Sequence, residues 1–361
     1  MKKLDYVDAL RGLAILGIIM VHSAQYGSLH LPRVFENVIG EGARGVQLFF
    51  LVSAFTLFFS FKNRAGKELN PVKNFFIRRF FRIAPMYYLG IFYFLLQDHL
   101  AGNMQVSGFN IASNFFFLHG LSPYWIASLV HGGWSISVEM TFYLMLPFLF
   151  SRIKNIQQAF NFFLLSIVVN AILNYFLFKY PMLSSDLIWS EFLFLYFPNQ
   201  LPVFALGILM YFLIAEEEFS FAGISAKSLF IFCALFLADL AMKESFFFPR
   251  HILFGVAFLI LGISLSKYKP VFIINPVVNY IGKISFSMYL VHFAVLYWLK
   301  HFDWIEYFNH GILNYATRFT LVTLLTILIA SVFYYLIEIP FQKIGKRLII
   351  FFEIKAIKNS I

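Results

Sequence analysis

The segment from Leu10 to His22 reads Leu-Arg-Gly-Leu-Ala-Ile-Leu-Gly-Ile-Ile-Met-Val-His, and Arg11 and His22 are its only polar side chains. In a helix, the chain rises about 16 Å from Arg11 to His22, which is about half the thickness of a bilayer core. If Arg11 lies at one membrane surface, His22 lies near the midplane. An ionisable side chain is costly there, so His22 is a functional candidate. For Arg11 alone, a topology anchor at the surface is an equally good interpretation.

The composition of the whole chain also indicates a membrane protein. Of its 361 residues, 60% are hydrophobic and 13% are charged, against about 25% charged in soluble proteins. The mean hydropathy is +0.77. We therefore predict an all-α, polytopic integral membrane protein. The first apolar segment lacks a small-residue cleavage site, so we expect it to be retained as a span. The single cysteine, Cys233, allows no internal disulfide and no Cys-x-x-Cys metal site, and we expect it to pack in a helix.

Apolar runs of sufficient length predict about ten transmembrane helices. A shorter stretch, Ile111 to His119, is predicted to be interfacial or re-entrant. We treat residues 1–340 as one transmembrane domain and 341–361 as a basic cytoplasmic tail on the inner surface. The ten spans are placed at 7–27, 45–61, 84–102, 134–151, 158–178, 193–214, 226–242, 251–267, 281–299 and 318–338.

The distribution of charge predicts the orientation of the chain. Ten spans place both termini on one side, and most of the 28 Lys and Arg residues fall in segments on that side. Because cytoplasmic loops carry an excess of Lys and Arg, we predict an N-in, C-in topology. The formal net charge of +10 is explained by this bias, so we expect no nucleic-acid partner.

Two arginines mark a candidate anion site in the segment Phe76-Ile-Arg-Arg-Phe-Phe-Arg-Ile-Ala-Pro85. Arg79 and Arg82 are three residues apart and share a helical face. Paired guanidinium groups bind phosphates through bidentate hydrogen bonds. The ligand can be a lipid head group or a phosphorylated cosubstrate such as a coenzyme.

A carboxylate lies within the segment His131-Gly-Gly-Trp-Ser-Ile-Ser-Val-Glu-Met-Thr-Phe-Tyr143, in which Gly132 and Gly133 directly precede a predicted span. Glu139 lies about 8 Å along the helix from Trp134. A carboxylate in the membrane needs a partner, which can be His22, an arginine or a substrate hydroxyl. A purely structural pairing is equally compatible with the sequence.

A polar stripe interrupts a later span, Ile284-Ser-Phe-Ser-Met-Tyr-Leu-Val-His292. Ser285, Tyr289 and His292 are spaced by four and three residues and share a helical face. Such a stripe indicates a cavity or a substrate path, and we assign Trp134 to the same path. In Gly45-Val-Gln-Leu-Phe-Phe-Leu-Val-Ser-Ala-Phe55, by contrast, the small residues predict close helix packing.

These segments together resemble the membrane-bound acyltransferase-3 family, bacterial O-acyltransferases that modify surface polysaccharides. The resemblance runs from Tyr6 to Pro340. One departure is Gln47, where many members carry Asp. The motifs that carry the resemblance occur in one order: Arg-x10-His, the Gly45–Phe55 segment, Arg-x-x-Arg followed by Ile-x-Pro, Trp-Ser-Ile-Ser-Val-Glu, Ser-Phe-Ser-Met-Tyr-Leu-Val-His and Ile-Glu-x-Pro.

The resemblance implies a multi-pass enzyme of the bacterial inner membrane. It would transfer an acyl group, usually acetyl from acetyl-CoA, to a hydroxyl of a cell-surface polysaccharide or its sugar precursor, without a metal. His22 would be the key catalytic residue and Arg11 part of the same motif, while Arg79 and Arg82 would handle the coenzyme. The chemistry of acyl transfer, apart from the resemblance, makes Glu139 a candidate orienting partner for His22. Whether His22 only takes a proton or also carries the acyl group stays open.

Two other functional classes remain. A transporter or flippase of lipid-linked glycans also suits ten spans with intramembrane His and Glu, although the sequence shows no paired repeat. A non-catalytic membrane scaffold leaves the His and Arg residues unexplained.

Overall fold

The computed structural model describes residues 4–27, 31–102, 106–216, 224–242 and 248–360. The protein is 81% helical, and none of the described residues forms a strand, so the all-α prediction is confirmed. Lys2, Lys3 and Lys243, which entered the charge argument, lie outside the described residues. The α-helices of the described ranges are α1 Asp5–Gln25, α2 Arg33–Gly40, α3 Gly45–Arg64, α4 Pro71–Leu100, α5 Gly108–Phe115, α6 Trp134–Arg152, α7 Ile156–Lys179, α8 Asp186–Leu195, α9 Phe197–Ile214, α10 Ala226–Met242, α11 Arg250–Lys267, α12 Pro276–Lys283, α13 Ser285–His301, α14 Gly311–Phe333 and α15 Ile339–Ser360.

Several helices are long and apolar enough to cross a membrane. By length and composition, the described chain has seven such stretches, or eight if α12 and α13 form one bent span. In α7, only 11% of the apolar window is buried, and residues such as Phe176 are exposed. Contiguous apolar surface of this extent suits lipid rather than water. The protein is a multi-pass membrane protein, and the count of ten spans and their orientation stay predictions.

The helix boundaries differ from the sequence prediction in several places. The predicted spans 193–214 and 318–338 each cross a helix end, at Leu195 and Phe333. The predicted span 281–299 begins inside α12, and the chain bends by 79° between α12 and α13. Asn275 caps α12, because its Oδ1 accepts hydrogen bonds of 3.0 Å from Val277 N and Val278 N. The predicted span 84–102 lies in the longer helix α4, whose first half is too polar to be found by hydropathy.

One compact unit comprises residues 1–56, 155–163 and 202–330. Its helix α1 is closely packed against neighbours through glycine. A Cβ atom added to Gly282 of α12 would lie 1.7 Å from Asp8 O, and one added to Gly45 of α3 would lie 2.2 Å from Ala14 O. The predicted packing role of Gly45 is confirmed. Small residues thus let α1 approach the backbones of α12 and α3.

The second compact unit comprises residues 57–154, 164–201 and 331–361. Here α15, which contains the predicted tail, packs on the first half of α4. The Lys73 ammonium lies 3.4 Å from the centroid of the Phe352 ring. Glu353 accepts a hydrogen bond of 2.7 Å from Asn74 Nδ2. A π-helical turn, Tyr334–Glu338, joins α14 to α15.

Candidate active site

The structure brings together two of the predicted site motifs, which are distant in sequence. His22 lies in the last turn of α1, and His292 lies in α13. Their ring centroids are 5.4 Å apart. The Phe293 ring lies 4.4 Å from His22 and 4.2 Å from His292. His292 is fully buried, whereas His22 is half-buried. This histidine pair lies within the first compact unit and is the centre of the candidate site.

Hydrogen bonds orient both imidazole rings. His22 Nδ1 lies 2.8 Å from Gln25 Oε1, one helical turn away. His292 Nδ1 lies 3.3 Å from the carbonyl oxygen of Met288. Because both oxygens are acceptors, we assign the proton of each neutral ring to Nδ1. In this tautomer the Nε2 atom of His22 carries the lone pair that a general base or nucleophile needs.

The polar stripe of α13 lies next to the histidine pair. The Tyr289 ring is 5.9 Å from His292 and 6.2 Å from Phe49 of α3. Ser285 begins α13 and is buried, as is Tyr289. The predicted common face of these residues therefore belongs to the interior of the first unit, and His292 is the member that contacts His22.

Arg11 lies in the second turn of α1, Asp5–Gln25, eleven positions before His22. Its Nη2 donates a 3.2 Å hydrogen bond to Thr56 Oγ1, and its Nη1 lies 3.7 Å from Asp8 Oδ1. The helix rise places it about 16 Å along the axis from His22. Arg11 thus connects α1 to α3.

A second group of predicted residues lies within the other compact unit. The Arg79 guanidinium is 5.9 Å from the ring centroids of both Phe75 and Tyr143. Tyr143 donates a 2.6 Å hydrogen bond to Glu139 Oε1. Arg82 is close enough to Arg79 and Tyr143 for electrostatic interaction. The predicted arginine pair and the predicted carboxylate therefore share one cluster, which a tyrosine holds together.

Trp134 is the first residue of α6 and packs against an apolar cluster. That cluster consists of Ile126, Trp189, Leu193, Leu195 and Tyr196. Its assignment to a substrate path stays a prediction.

A buried polar network precedes α6, and the sequence analysis did not identify it. Asn114 Oδ1 accepts hydrogen bonds from Tyr87 OH at 2.9 Å and from Ser128 Oγ at 2.7 Å. His119 Nε2 lies 3.0 Å from Gly133 O, directly before Trp134. Burial lowers the pKa of His119 to about 4. The network fixes the start of the helix that carries Glu139. In the sequence, the polar residues at both ends of the short apolar stretch 111–119 were the only pattern that could have indicated this network.

Comparison with known proteins gives matches over almost the whole chain. A family of acyltransferase domains matches residues 4–335. The protein named "Putative acetyltransferase ORF330" from Acidianus two-tailed virus is 26% identical over 294 residues, which are 79% of this chain and 81% of that protein. A "Putative O-acetyltransferase" from Staphylococcus aureus (strain COL) is 26% identical over 387 aligned residues, 95% of this chain and 58% of that protein.

A shorter match involves a relative with a named substrate. The peptidoglycan O-acetyltransferase OatA of Listeria monocytogenes is 27% identical over 159 residues, 40% of this chain and 24% of that protein. The chain thus spans less than two thirds of the length of this relative and of the staphylococcal one. No solved structure gives a significant match.

The family match covers the segments that hold both residue groups, from Arg11 and His22 to His292. It confirms the predicted resemblance and the predicted enzyme class, an acyltransferase. The chain belongs to the acyltransferase-3 family.

Proposed function

We propose that this chain transfers an acetyl group from acetyl-CoA to a hydroxyl of a cell-surface glycan in the bacterial inner membrane. Relatives that are named as O-acetyltransferases support the reaction type. The observation that carries the proposal is the position of His22. Its Nδ1 bonds to Gln25 Oε1, and its ring faces the polar stripe of α13 through His292.

In direct transfer, His22 Nε2 takes the proton of the acceptor hydroxyl while the hydroxyl oxygen attacks the thioester carbonyl. The C–S bond then breaks, and the imidazolium returns the proton to the leaving CoA thiolate. In the acyl-histidine route, Nε2 attacks the thioester carbonyl first, and the C–S bond breaks to release the CoA thiolate. The acceptor hydroxyl then attacks the acyl-imidazole, the C–N bond breaks to restore the imidazole, and the hydroxyl proton ends on the CoA thiolate. Both routes use the same nitrogen and give the same products, an ester and CoA. Tyr289 and His292 would guide the acceptor to this atom.

Arg79 and Arg82 would bind the phosphates of the coenzyme. Arg82 forms no hydrogen bond or ion pair within the described part of the chain. Its guanidinium therefore does not have to break a bond to a described residue before it binds a phosphate. Arg79 lies beside the Phe75 and Tyr143 rings, 5.9 Å from each centroid, where cation–π attraction holds a guanidinium. Glu139, with Tyr143, would limit the positive charge of this cluster. In the predicted topology the cluster faces the cytoplasm, where acyl-CoA is available.

The test is the O-acetyl content of surface glycans in cells that lack the gene and carry either the wild-type chain or the His22→Ala variant. Loss of a general base costs about 100- to 10,000-fold in rate, so the variant should give glycans without detectable ester. His99→Ala, at an exposed position of α4, is the control and should restore O-acetylation. Full O-acetylation by His22→Ala would exclude the proposed role.

One observation favours a transporter or flippase as the second candidate. The 79° bend between α12 and α13 is a broken helix of the kind that forms transport sites. Movement of a lipid-linked glycan across proteoliposomes without release of CoA would favour this function over acetyl transfer.

A further inference from the structure

The C-terminal turn of α1 is held by a buried arginine from α14. Arg318 has only 2% of its surface exposed. Its Nε donates a 2.6 Å hydrogen bond to Ser23 O, and its Nη1 donates a 2.8 Å hydrogen bond to Ile305 O. Glu306 Oε2 lies 3.5 Å from the same Nη1. All these residues belong to the first compact unit.

Arg318 donates to Ser23 O, an oxygen to which no backbone N–H of the described residues donates. The last carbonyls of a helix have no partner within the helix. In α1, His22 O and Ala24 O accept hydrogen bonds from the backbone N–H groups of Tyr26 and Gly27. Between them, Ser23 O is bonded by the Arg318 guanidinium, a cation at the negative end of the helix dipole. The arginine therefore completes the cap of the turn that carries His22.

Two further contacts fix the same turn. One helical turn before Arg318, Tyr315 OH donates a 3.3 Å hydrogen bond to Met20 O. The guanidinium also lies against the backbone of Gly27, where an added Cβ atom would be 1.9 Å from Arg318 Nη2. Together these contacts bracket His22 on both sides, at positions 20, 23 and 27.

We infer that Arg318 is a positioning residue for acetyl transfer, which holds the last turn of α1 so that His22 faces His292. This inference rests on the proposed catalytic role of His22. A displacement of about 1 Å at a reacting group costs about 100-fold in rate. Loss of Arg318 should therefore lower kcat without an equal change in KM, because its described bonds reach only the chain itself.

The experiment measures kcat and KM for acetyl-CoA per folded molecule, on purified protein that elutes as one species. Arg318→Met should lower kcat about 100-fold and change KM less than threefold. Arg318→Lys keeps the charge but offers a point donor instead of a planar fork, and should recover part of the lost kcat. A purely structural arginine would change the yield of folded protein and leave kcat per folded molecule unchanged.

Gly27→Ala tests the same position with Arg318 and His22 both present. The methyl group would push the guanidinium away from Ser23 O, and kcat should fall about tenfold. Gly40→Ala is the matched control, because nothing lies within 4 Å of its added Cβ. Wild-type kcat in both Arg318→Met and Gly27→Ala would overturn the inference.

His22→Ala, measured in parallel, separates the two proposals. If His22→Ala is inactive while the Arg318 and Gly27 variants are normal, the catalytic role stands and the positioning role is wrong. If His22→Ala is fully active, the proposed function itself is wrong.

Discussion

The close packing of α1 against α12 predicts a graded response to single methyl groups. A Cβ atom added to Gly282 would lie 1.7 Å from Asp8 O, and one added to Gly12 would lie 2.5 Å from Val278 O. Ordinary contacts begin at 3.4 Å. Gly282→Ala must therefore move the helices apart by about twice the distance that Gly12→Ala requires. The α12–α13 segment also carries His292, so this shift separates the two histidines of the site.

The size of the effect follows from overpacking. An extra methylene in a well-packed interior costs about 1–3 kcal/mol, and a shift of about 1 Å at a reacting group costs about 100-fold in rate. We expect Gly282→Ala to cost about 3 kcal/mol of stability and about 100-fold in kcat, and Gly12→Ala to cost less of both. Gly40→Ala, whose added Cβ meets nothing within 4 Å, should equal the wild type.

The assay combines the thermal midpoint of detergent-solubilised protein, from intrinsic fluorescence, with kcat for acetyl transfer. The expected order of both quantities is wild type and Gly40→Ala, then Gly12→Ala, then Gly282→Ala. Equal values for Gly282→Ala and Gly40→Ala would refute the argument that this contact sets the position of α1.

Three further predictions concern the second compact unit. Arg82→Ala should raise KM for acetyl-CoA about 10- to 100-fold, since a hydrogen bond to a charged group contributes about 1.5–3 kcal/mol, whereas Arg152→Ala, at an exposed position, should leave KM unchanged; equal KM values in the two variants would contradict the coenzyme role. Tyr143→Phe removes the donor to Glu139 and disturbs the cluster that would bind the coenzyme, so it should raise KM for acetyl-CoA about tenfold, the effect of one hydrogen bond; an unchanged KM would be the contrary result. His119 has a pKa lowered by burial from 6.5 to about 4, so it contributes stability above pH 6.5 that is lost as the pH falls towards 4, by roughly 3 kcal/mol. His119→Gln should therefore flatten the dependence of the thermal midpoint on pH in this range, and an unchanged profile would show that another group titrates.

The sequence predicted the helices well where the ends of an apolar run are also the ends of the helix. The predicted span 134–151 corresponds to α6, Trp134–Arg152, because a glycine pair precedes it and Arg152 ends it. The predicted span 7–27 corresponds to α1, Asp5–Gln25. Hydropathy did not show the bend at Ile284, since the predicted span 281–299 rests on the mean polarity of a run and not on the direction of the chain.

The candidate site was predicted residue by residue but not as an arrangement. His22 and His292 were both identified, since ionisable residues stand out in an apolar span. Their proximity depends on helix packing over 270 positions of sequence, which one chain without its fold does not show. Arg318 is one of the 28 Lys and Arg residues of the charge count, and no motif marks its role, because its described hydrogen bonds go to backbone carbonyl groups of Ser23 and Ile305.

The central claim is that His22 performs the transfer of the acetyl group. The most direct measurement is a single turnover of purified enzyme with radiolabelled acetyl-CoA and a glycan acceptor, comparing the wild type with His22→Gln. The account predicts that label appears in the glycan ester with release of CoA for the wild type, and at least 100 times more slowly for the variant. Transfer at the wild-type rate by His22→Gln would contradict it.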